Sequence, residues 1–362
     1  MAPSSSPAAS GAPGPAPLLH IDARADRLGP VDPGQKILGL TVLKRLVLAA
    51  KKGGFGTVQV AGDAALKPLL DGTDAALVAP DTPPPPGAAT APASLLGEVG
   101  WLAELAARPG DVEETVFQTP PLDLAHDPDT RRAEQRLLGA LVKETDGFMS
   151  RRFARPLSLR LSRILSRCGV TPNQMTLVST AIGVSAAPFF LSPSPLMQSI
   201  GGLLFVVHSV VDGCDGELAR LSFRESRLGG LLDFWGDNLV HVAVFAAMGL
   251  GWAMAIDAVW PLYLTALALI GTGGSAAAVY WFTLREKSAA GPVYTSVSSG
   301  PPDRLSKQLD ALSRRDFIYL VFVLSLFGKA AWFLALTAVG APVFLILVLV
   351  LAAKKRRTAQ TA

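Results

Sequence analysis

The chain contains few of the residues that stabilise small secreted folds or form metal–thiolate sites. Among 362 residues there are only two cysteines and four histidines. The cysteines, Cys168 and Cys214, are too few for a disulfide framework and are not spaced like a thiolate metal site. We therefore interpret both as free thiols.

The first half of the chain also lacks an apolar run long enough to cross a membrane. The opening segment, "MAPSSSPAASGAPGPAP" (residues 1–17), has neither the basic start nor the apolar stretch of a signal peptide. Its serine, proline and alanine content is typical of a disordered tail. We expect the N-terminus to stay in the cytosol.

Charged residues are scarce as well, and the later part of the chain is typical of a membrane protein. Charged residues make up 17% of the sequence and hydrophobic residues 50%. After about Met175, apolar runs of roughly 18–25 residues recur, long enough to cross a bilayer as helices. Predicted spans cover residues 175–192, 197–220, 229–255 and 259–284, and residues 316–353 are long enough for two more.

The last apolar stretch has two possible dividing points. Gly340-Ala341-Pro342 is the stronger turn signal, but a turn there leaves Lys329 deep in a span unless its side chain snorkels. A turn near Gly328 avoids that burial. Both divisions predict an all-α polytopic membrane domain of six transmembrane helices, over residues 171–357.

Basic residues collect at one set of helix ends, and the formal net charge is +4. The short loops near 193–196 and 256–259 contain no lysine or arginine. The positive-inside rule therefore places both termini and the aspartates described below on the cytosolic side of the cytoplasmic (inner) membrane. This distribution indicates contact with anionic lipid headgroups and gives no support to nucleic-acid binding. The basic segments are 151–167, 220–227, 285–315 and 354–357.

Residues 18–127 are predicted to form a small cytosolic α/β domain. "LLHIDA", "GTVQVAG" and "DAALVAP" are typical of short strands, and their alternation with helical segments favours a parallel sheet. "TVLKRLVLAAKK" has an apolar face with helical spacing. We expect Thr41 to cap that helix and Gly53-Gly54 to end it.

Residues 129–168 are charged and have helical periodicity. In "RPLSLRLSRILSR" an apolar stripe is flanked by arginines, a pattern that predicts an amphipathic helix lying in the membrane interface. A solvated helix that packs on the soluble domain is the alternative, since the pattern alone does not separate the two. The stripe consists of Leu157, Leu161, Ile164 and Leu165.

Four aspartates stand out because they lie among apolar residues at the cytosolic ends of the second and third spans. They are Asp212, Asp215, Asp233 and Asp237. Their helical spacing lets two facing helices converge four carboxylates. Carboxylates gathered in a low-dielectric place repel each other, so a cation must offset their charge. Oxygen ligands favour Mg²⁺, Mn²⁺ or Ca²⁺, and a pair of such ions is common in phosphoryl transfer.

Neighbouring residues fit a diphosphate ligand at the same place. Gly216 and Gly229 remove side-chain bulk, which lets a ligand or a helix approach the backbone closely. Arg220 can direct its guanidinium at a phosphate or bind an aspartate. The residues thus predict a metal-bridged diphosphate site at the cytosolic membrane face.

The aspartates and their neighbours also resemble a known family. The spacing Asp212-x2-Asp215-Gly216-x2-Ala219-Arg220-x8-Gly229-x3-Asp233-x3-Asp237 matches the signature of the CDP-alcohol phosphotransferases without a gap or substitution. The resemblance extends from about Glu134 to the C-terminus and includes "TPNQMT" at the first span. It implies a six-helix membrane enzyme, usually a homodimer, that cleaves the pyrophosphate of a CDP-alcohol donor, releases CMP and joins the phosphoalcohol to an acceptor hydroxyl.

The resemblance also implies residue roles. Asp212, Asp215 and Asp233 would hold the metal ions, expected to be two Mg²⁺ or Mn²⁺, with Asp237 near the second ion and serving as general base. The residues expected to shape the CDP pocket are Gly216, Ala219, Arg220 and Gly229.

The stretch "GLTVLKRLVLAAKKGGFGTVQVAG" resembles the interior of a sugar-nucleotide transferase domain. Such a domain is fused to this membrane domain in inositol-phosphate cytidylyltransferase/di-myo-inositol-phosphate-phosphate synthase proteins. The Gly-rich loop with its Arg and following Lys is missing, and "RLGPVDPGQK" has the wrong spacing to replace it. We therefore expect a degenerate structural or regulatory remnant.

Other polar and small residues have two interpretations each. His208 and His241 lie one turn from aspartates, and we expect ordinary helix-packing histidines, with support of the aspartates as the alternative. "RRDF" (314–317) either anchors the fifth span at the interface or binds an acceptor phosphate. The glycines expected to permit close helix packing are Gly271, Gly273 and Gly274.

The predicted function is metal-dependent phosphoalcohol transfer in phospholipid or inositol-phosphodiester synthesis. The donor is CDP-diacylglycerol or CDP-inositol, and inositol phosphate, glycerol 3-phosphate and free inositol remain open as the polyol or polyol-phosphate acceptor. A cation-coupled transporter is one alternative, although no inverted repeat is visible. A catalytically inactive membrane scaffold is the other, and the intact acidic motif argues against it.

Overall fold

The computed structural model describes residues 16–142, 147–284 and 316–361. Most of the predicted N-terminal tail and the basic segment 285–315 lie outside these ranges. The chain divides into two compact units, Met1–Gly139 and Ala140–Ala362. They are called the α/β unit and the helical unit below.

The α/β unit contains a four-stranded parallel sheet in the order β5-β4-β1-β6 and a two-stranded hairpin, β2-β3. The central strand β1 has Leu19, His20 and Ile21 buried, as expected for a parallel sheet covered on both faces. The strands are β1 (Leu18–Asp22), β2 (Lys36–Ile37), β3 (Leu40–Thr41), β4 (Thr57–Ala61), β5 (Ala76–Val78) and β6 (Ala89–Pro92).

The predicted parallel sheet is confirmed, and so is the helix that follows Thr41. The Thr41 side chain accepts a hydrogen bond from the Lys44 backbone N–H at 3.3 Å, and Gly54 ends the helix with φ 111°. Only glycine adopts that left-handed geometry without strain. The helices of this unit are α1 (Ala25–Leu28), α2 (Val42–Gly53), α3 (Val99–Ala107) and α4 (Thr130–Gly139), with a 3₁₀ helix at Ala64–Leu70.

The helical unit contains five helices that are long and apolar enough to span a membrane, so this chain is an integral membrane protein. Its helices are α5 (Arg155–Arg167), α6 (Pro172–Ala186), α7 (Pro195–Ser222), α8 (Arg227–Ile256), α9 (Trp260–Val279), α10 (Phe317–Leu326) and α11 (Ala330–Thr361). Short irregular turns continue α6 to Leu191 and α9 to Leu284, and Ser150–Ala154 leads into α5. Helix α10 has ten residues, so the six-span count stays a prediction.

The chain turns at Gly328 and not at Gly340-Ala341-Pro342, the stronger turn signal in the sequence. Gly328 has φ 66°, and α11 continues through Pro342. Gly271 of α9 lies against this part of α11, where an added Cβ would lie 2.5 Å from the Pro342 nitrogen. Lys329 consequently lies at the turn, with its amine 5.7 Å from the Trp332 ring.

Close packing at the glycines of α9 is only partly as expected. A Cβ at Gly274 would lie 2.8 Å from Leu345, so Gly274, like Gly271, permits a close approach of α11. At Gly273 no described atom lies within 4 Å of an added Cβ. The prediction for Gly273 was wrong, because that position faces away from the helix contact.

The apolar stripe of α5 divides into two residues that pack against α7 and two that are exposed. Leu161 and Leu165 pack against the cluster that contains Cys214 and Leu218 of α7. Leu157 and Ile164 are 51% and 60% exposed. An exposed apolar edge is compatible with an interfacial helix, and its location at a membrane surface stays a prediction. Both cysteines are free thiols, as predicted.

Candidate active site

The α7–α8 hairpin positions the aspartates. Phe223 ends α7 in a left-handed conformation with φ 55°, and the Ser226 side chain caps α8 by accepting from the Gly229 backbone N–H at 3.0 Å. This short connection brings the acidic residues near the end of α7 close to those at the start of α8. Helix α6 packs against both α7 and α8.

Three of the four aspartates form one cluster. Asp212, Asp215 and Asp233 each have a carboxylate oxygen within 4.8 Å of the other two. Asp212 and Asp215 are 3% and 7% exposed, and Asp233 is half-buried. Two buried carboxylates and one half-buried carboxylate at this distance are unfavourable without a cation, and an all-oxygen donor set fits a hard divalent ion.

Helix α6 supplies hydroxyl groups that orient two of these carboxylates. The Thr176 hydroxyl donates to Asp215 Oδ2 at 2.5 Å, and the Ser179 hydroxyl lies 3.4 Å from Asp212 Oδ1. The Ser179 hydroxyl also donates to the Thr176 carbonyl at 2.9 Å, so its contact with Asp212 is the weaker of the two. Both contacts were missed by sequence reasoning. The available signal was weak: Thr176 ends "TPNQMT", and Ser179 follows at the i+3 position of the same helix face.

Asp237 lies one turn beyond Asp233 on α8, outside the cluster of three. Its Oδ1 is 3.6 Å from His208 Nε2. His208 Nδ1 is 2.9 Å from the Ser179 carbonyl oxygen, which fixes the proton on Nδ1 because a carbonyl only accepts. His208 therefore lies between α6 and Asp237, and its 3.6 Å approach to Oδ1 is longer than a hydrogen bond. His241 packs among Phe205, Phe245 and Phe317, as expected of an ordinary helix-packing histidine.

The small and basic residues of the motif lie on both sides of the cluster. The Arg220 guanidinium lies over Gly216, 3.4 Å from where a Cβ would stand. Gly229 leaves room for the start of α6, since its Cβ would lie 2.9 Å from Asn173 Oδ1. Ala219 is half-buried one turn after Asp215.

A cavity of about 540 Å³ opens beside Asp233 and Asp237, between α8, α9, α10 and α11. Its walls are mainly apolar, and among the described residues no lysine or arginine lines it. The aromatic lining residues are Phe234, Phe245, Phe317, Phe333 and Phe344. One end of the cavity is therefore acidic and the rest is suited to an apolar group.

Asp316 is the described aspartate of the "RRDF" sequence, whose two arginines lie outside the described residues. Its carboxylate accepts from the Ser150 backbone N–H at 3.2 Å and contacts Gly147. It therefore caps the helical segment that leads into α5. Both interpretations of "RRDF", interfacial anchoring and binding of an acceptor phosphate, stay predictions.

Comparison with known sequences identifies this region. Residues 169–299 match the CDP-alcohol phosphatidyltransferase family model. This part of the chain is a CDP-alcohol phosphatidyltransferase domain. All eight motif positions lie within the matched residues, and so do Thr176, Ser179 and His208.

Relatives of the CDP-alcohol phosphatidyltransferase domain are named as transferases and synthases. The chain is 39% identical over 143 residues to a bifunctional IPC transferase and DIPP synthase of Thermococcus kodakarensis, covering 39% of this chain and 31% of that protein. It is 31% identical over 113 residues to the archaetidylinositol phosphate synthase of Pyrococcus horikoshii, covering 31% of this chain and 55% of that protein. The matches thus span between about a third and about half of these relatives.

A solved structure of Mycobacterium tuberculosis phosphatidylinositol phosphate synthase with CDP-DAG bound also resembles the chain. The identity is 20%, the TM-score is 0.37, and the match covers 54% of this chain and 94% of that one. Likeness of this size adds nothing to the assignment, which rests on the sequence match of the CDP-alcohol phosphatidyltransferase domain.

Proposed function

We propose that the helical unit is a metal-dependent CDP-alcohol phosphotransferase. It transfers the phosphoalcohol group of a CDP-alcohol to an acceptor hydroxyl and releases CMP. The observation that carries this proposal is the convergence of Asp212 and Asp215 of α7 with Asp233 of α8 within 4.8 Å. The family match over the same residues supports it.

The three clustered carboxylates would hold Mg²⁺ or Mn²⁺, with Asp237 near a second ion. Such ions would neutralise the charge that develops on the pyrophosphate oxygens as the bond to CMP breaks. Thr176 and Ser179 hold two of the carboxylates in one orientation. Partners of this kind keep a metal site shaped before its ion binds.

The remaining motif residues bind the donor and move the proton. Arg220, lying over Gly216, is placed to bind a phosphate of the donor. Gly216, Ala219 and Gly229 leave the backbone accessible to the nucleotide. Asp237 faces the cavity, where it would take the proton of the acceptor hydroxyl as that oxygen attacks phosphorus.

Among the two candidate donors, the cavity favours CDP-diacylglycerol over CDP-inositol. Its mainly apolar walls suit an acyl chain, whereas a polyol would find hydrogen-bonding partners on only part of the lining. The relatives named for inositol phosphate lipids favour an inositol-type polyol phosphate as the acceptor. Both choices belong to the proposal and rest on the proposed reaction.

We place the active site at the cytosolic face of the cytoplasmic membrane. The basic segments support this orientation, and the exposed Leu157 and Ile164 of α5 support contact with the lipid interface. The homodimer implied by the family resemblance stays a prediction. So does the degenerate role of the α/β unit.

CMP release from the full chain in detergent tests the proposal. Purified protein with Mn²⁺ or Mg²⁺ is given CDP-diacylglycerol or CDP-inositol against inositol phosphate, glycerol 3-phosphate and free inositol. We expect CMP with CDP-diacylglycerol and inositol phosphate, and none from the Asp237→Asn variant. If no pair releases CMP while the protein still binds Mn²⁺ and CDP, a scaffold role replaces the enzyme.

A further inference from the structure

One buried acid in the motif region has no part in the proposed reaction. Glu217 follows Gly216 directly and precedes Arg220 by three residues, yet its side chain is fully buried, with 0% exposed. A buried carboxylate is strongly unfavourable unless several donors satisfy it. Its partners therefore indicate what it does.

Within the described residues, the hydrogen-bond partners of Glu217 all come from α5. The Arg155 guanidinium and the Ser158 hydroxyl donate to Oε1, each at 2.7 Å, and the Ser162 hydroxyl donates to Oε2 at 2.7 Å. These three residues are three and four positions apart, so they form one polar face of an otherwise apolar and basic helix. Both carboxylate oxygens are thus bound to α5.

The position of Glu217 on α7 gives this contact a consequence for the site. Glu217 follows Asp212 by five residues, which turns its side chain about 140° around the helix from that of Asp212. The two side chains lie on different faces of one rigid helix. A rotation of α7 that loosened Glu217 from α5 would also change the direction of Asp212 and Asp215.

The Cys214 thiol of α7 is covered by α5, so its reactivity can measure the contact between these two helices. Its thiol is 0% exposed, and Sγ lies 3.6 Å from the Ser158 backbone oxygen, under α5. Cys168 is exposed, and these are the two cysteines of the chain. With Cys168 replaced, the reaction of Cys214 with a maleimide measures how firmly α5 lies on α7.

We propose that Glu217 is a positioning residue that fixes α5 against α7 and thereby holds Asp212 and Asp215 in the orientation that binds a divalent ion. The docking of α5 stands on the contacts alone. Its link to metal binding and to CMP release rests on the proposed function. The two parts therefore need separate measurements.

The experiment uses the full chain in detergent with the Cys168→Ser change. The test variants are Glu217→Gln, which keeps the shape and removes the charge, and the double change Ser158→Ala with Ser162→Ala, which removes two donors. Ser325→Ala is the matched control, because Ser325 is equally buried in α10 and donates to the Val321 carbonyl. Measurements are the maleimide rate at Cys214, the Mn²⁺ dissociation constant by electron paramagnetic resonance, and kcat and KM for CMP release.

In both test variants we expect Cys214 to react at least tenfold faster and the Mn²⁺ dissociation constant to rise at least fivefold. We expect kcat to fall while KM for the acceptor stays within twofold, and Ser325→Ala to match the parent. Protection of Cys214 in both variants would overturn the docking role. Faster reaction of Cys214 with unchanged Mn²⁺ binding would overturn the positioning role.

Failure of the proposed function would look different. A parent protein that binds Mn²⁺ without releasing CMP contradicts the enzyme, while the thiol and Mn²⁺ measurements still decide the role of Glu217. A parent that binds no Mn²⁺ contradicts the metal site and the positioning role together. The thiol reaction then still reports docking.

Discussion

In the α/β unit Asp22 and Glu98 lie beside basic side chains, whereas in the helical unit the motif aspartates lie beside one another. Asp22 binds Arg24 at 2.7 Å, and Glu98 binds Arg136 at 2.8 Å. Asp212, Asp215 and Asp233 gather within 4.8 Å. A local pair neutralises its own charge and needs no ligand, while a gathered set keeps a negative field that a cation can satisfy.

The pKa of Asp22 shows what local pairing does. Burial alone would raise the pKa of this carboxyl, but the hydrogen bonds and charge of Arg24 outweigh burial, and the pKa lies below its usual value of 3.8. Asp22 is therefore ionised and paired with Arg24.

The largest expected effect comes from removing a charge from the gathered set. Asp215→Asn should lower CMP release by about 10³-fold or more, roughly 4 kcal/mol, because the ion loses a ligand charge. Asp257→Asn is the control, since Asp257 ends α8 in a left-handed conformation, φ 50°, that asparagine also adopts. If Asp215→Asn kept a tenth of the parent's CMP release, the clustered aspartates of the helical unit would not differ in function from the paired acids of the α/β unit.

A smaller effect should follow from Thr176→Val, which keeps the shape and removes the hydroxyl that donates to Asp215 at 2.5 Å. Mn²⁺ affinity should fall roughly 10- to 100-fold, as is typical when a partner of a metal ligand is lost. Isothermal titration with Mn²⁺ measures it. Thr265→Val, whose hydroxyl donates only within α9 to the Pro261 carbonyl, should bind Mn²⁺ as the parent does.

Packing in the helical unit predicts an effect on stability. Gly271→Ala should destabilise the protein by roughly 1–3 kcal/mol, because its Cβ would meet the backbone of Ala341 and Pro342 at 2.5–2.6 Å. Gly273→Ala on the same helix should be neutral or slightly stabilising, since alanine favours helix. Thermal unfolding in detergent compares the two. Equal loss in both variants would mean that α9 and α11 do not approach as described.

The smallest effect concerns the paired acid of the α/β unit. Because the folded pKa of Asp22 is depressed, its contribution is present above pH 3.8 and is lost as pH falls through the folded pKa. Asp22→Asn should reduce protection of β1 at pH 7 by less than about 1 kcal/mol and leave no difference at low pH. Hydrogen exchange of the β1 peptide measures it, with the exposed Asp63→Asn as control. A difference in β1 protection between Asp22→Asn and the parent that grew as the pH fell would contradict this prediction.

Sequence reasoning succeeded where a signal is local. Thr41 and Gly54 bound α2 because capping and left-handed geometry need only neighbouring residues. It missed β6, since "ATAP" carries no strand pattern and is a strand only because it pairs with β1. The dividing point of the last apolar stretch stayed open in the sequence, and the structure places the turn at Gly328 while α11 continues through Pro342.

By itself the sequence determined the membrane-spanning class, the aspartate spacing and the resemblance to the CDP-alcohol phosphotransferases, since composition and helical period depend on residues close in the chain. Only the tertiary structure decided that Thr176 and Ser179 bind the aspartates, that His208 lies beside Asp237, and that Glu217 is held by α5. Each of these contacts joins residues far apart in sequence. Such contacts form only when packed helices bring their faces together, and no local pattern encodes that meeting.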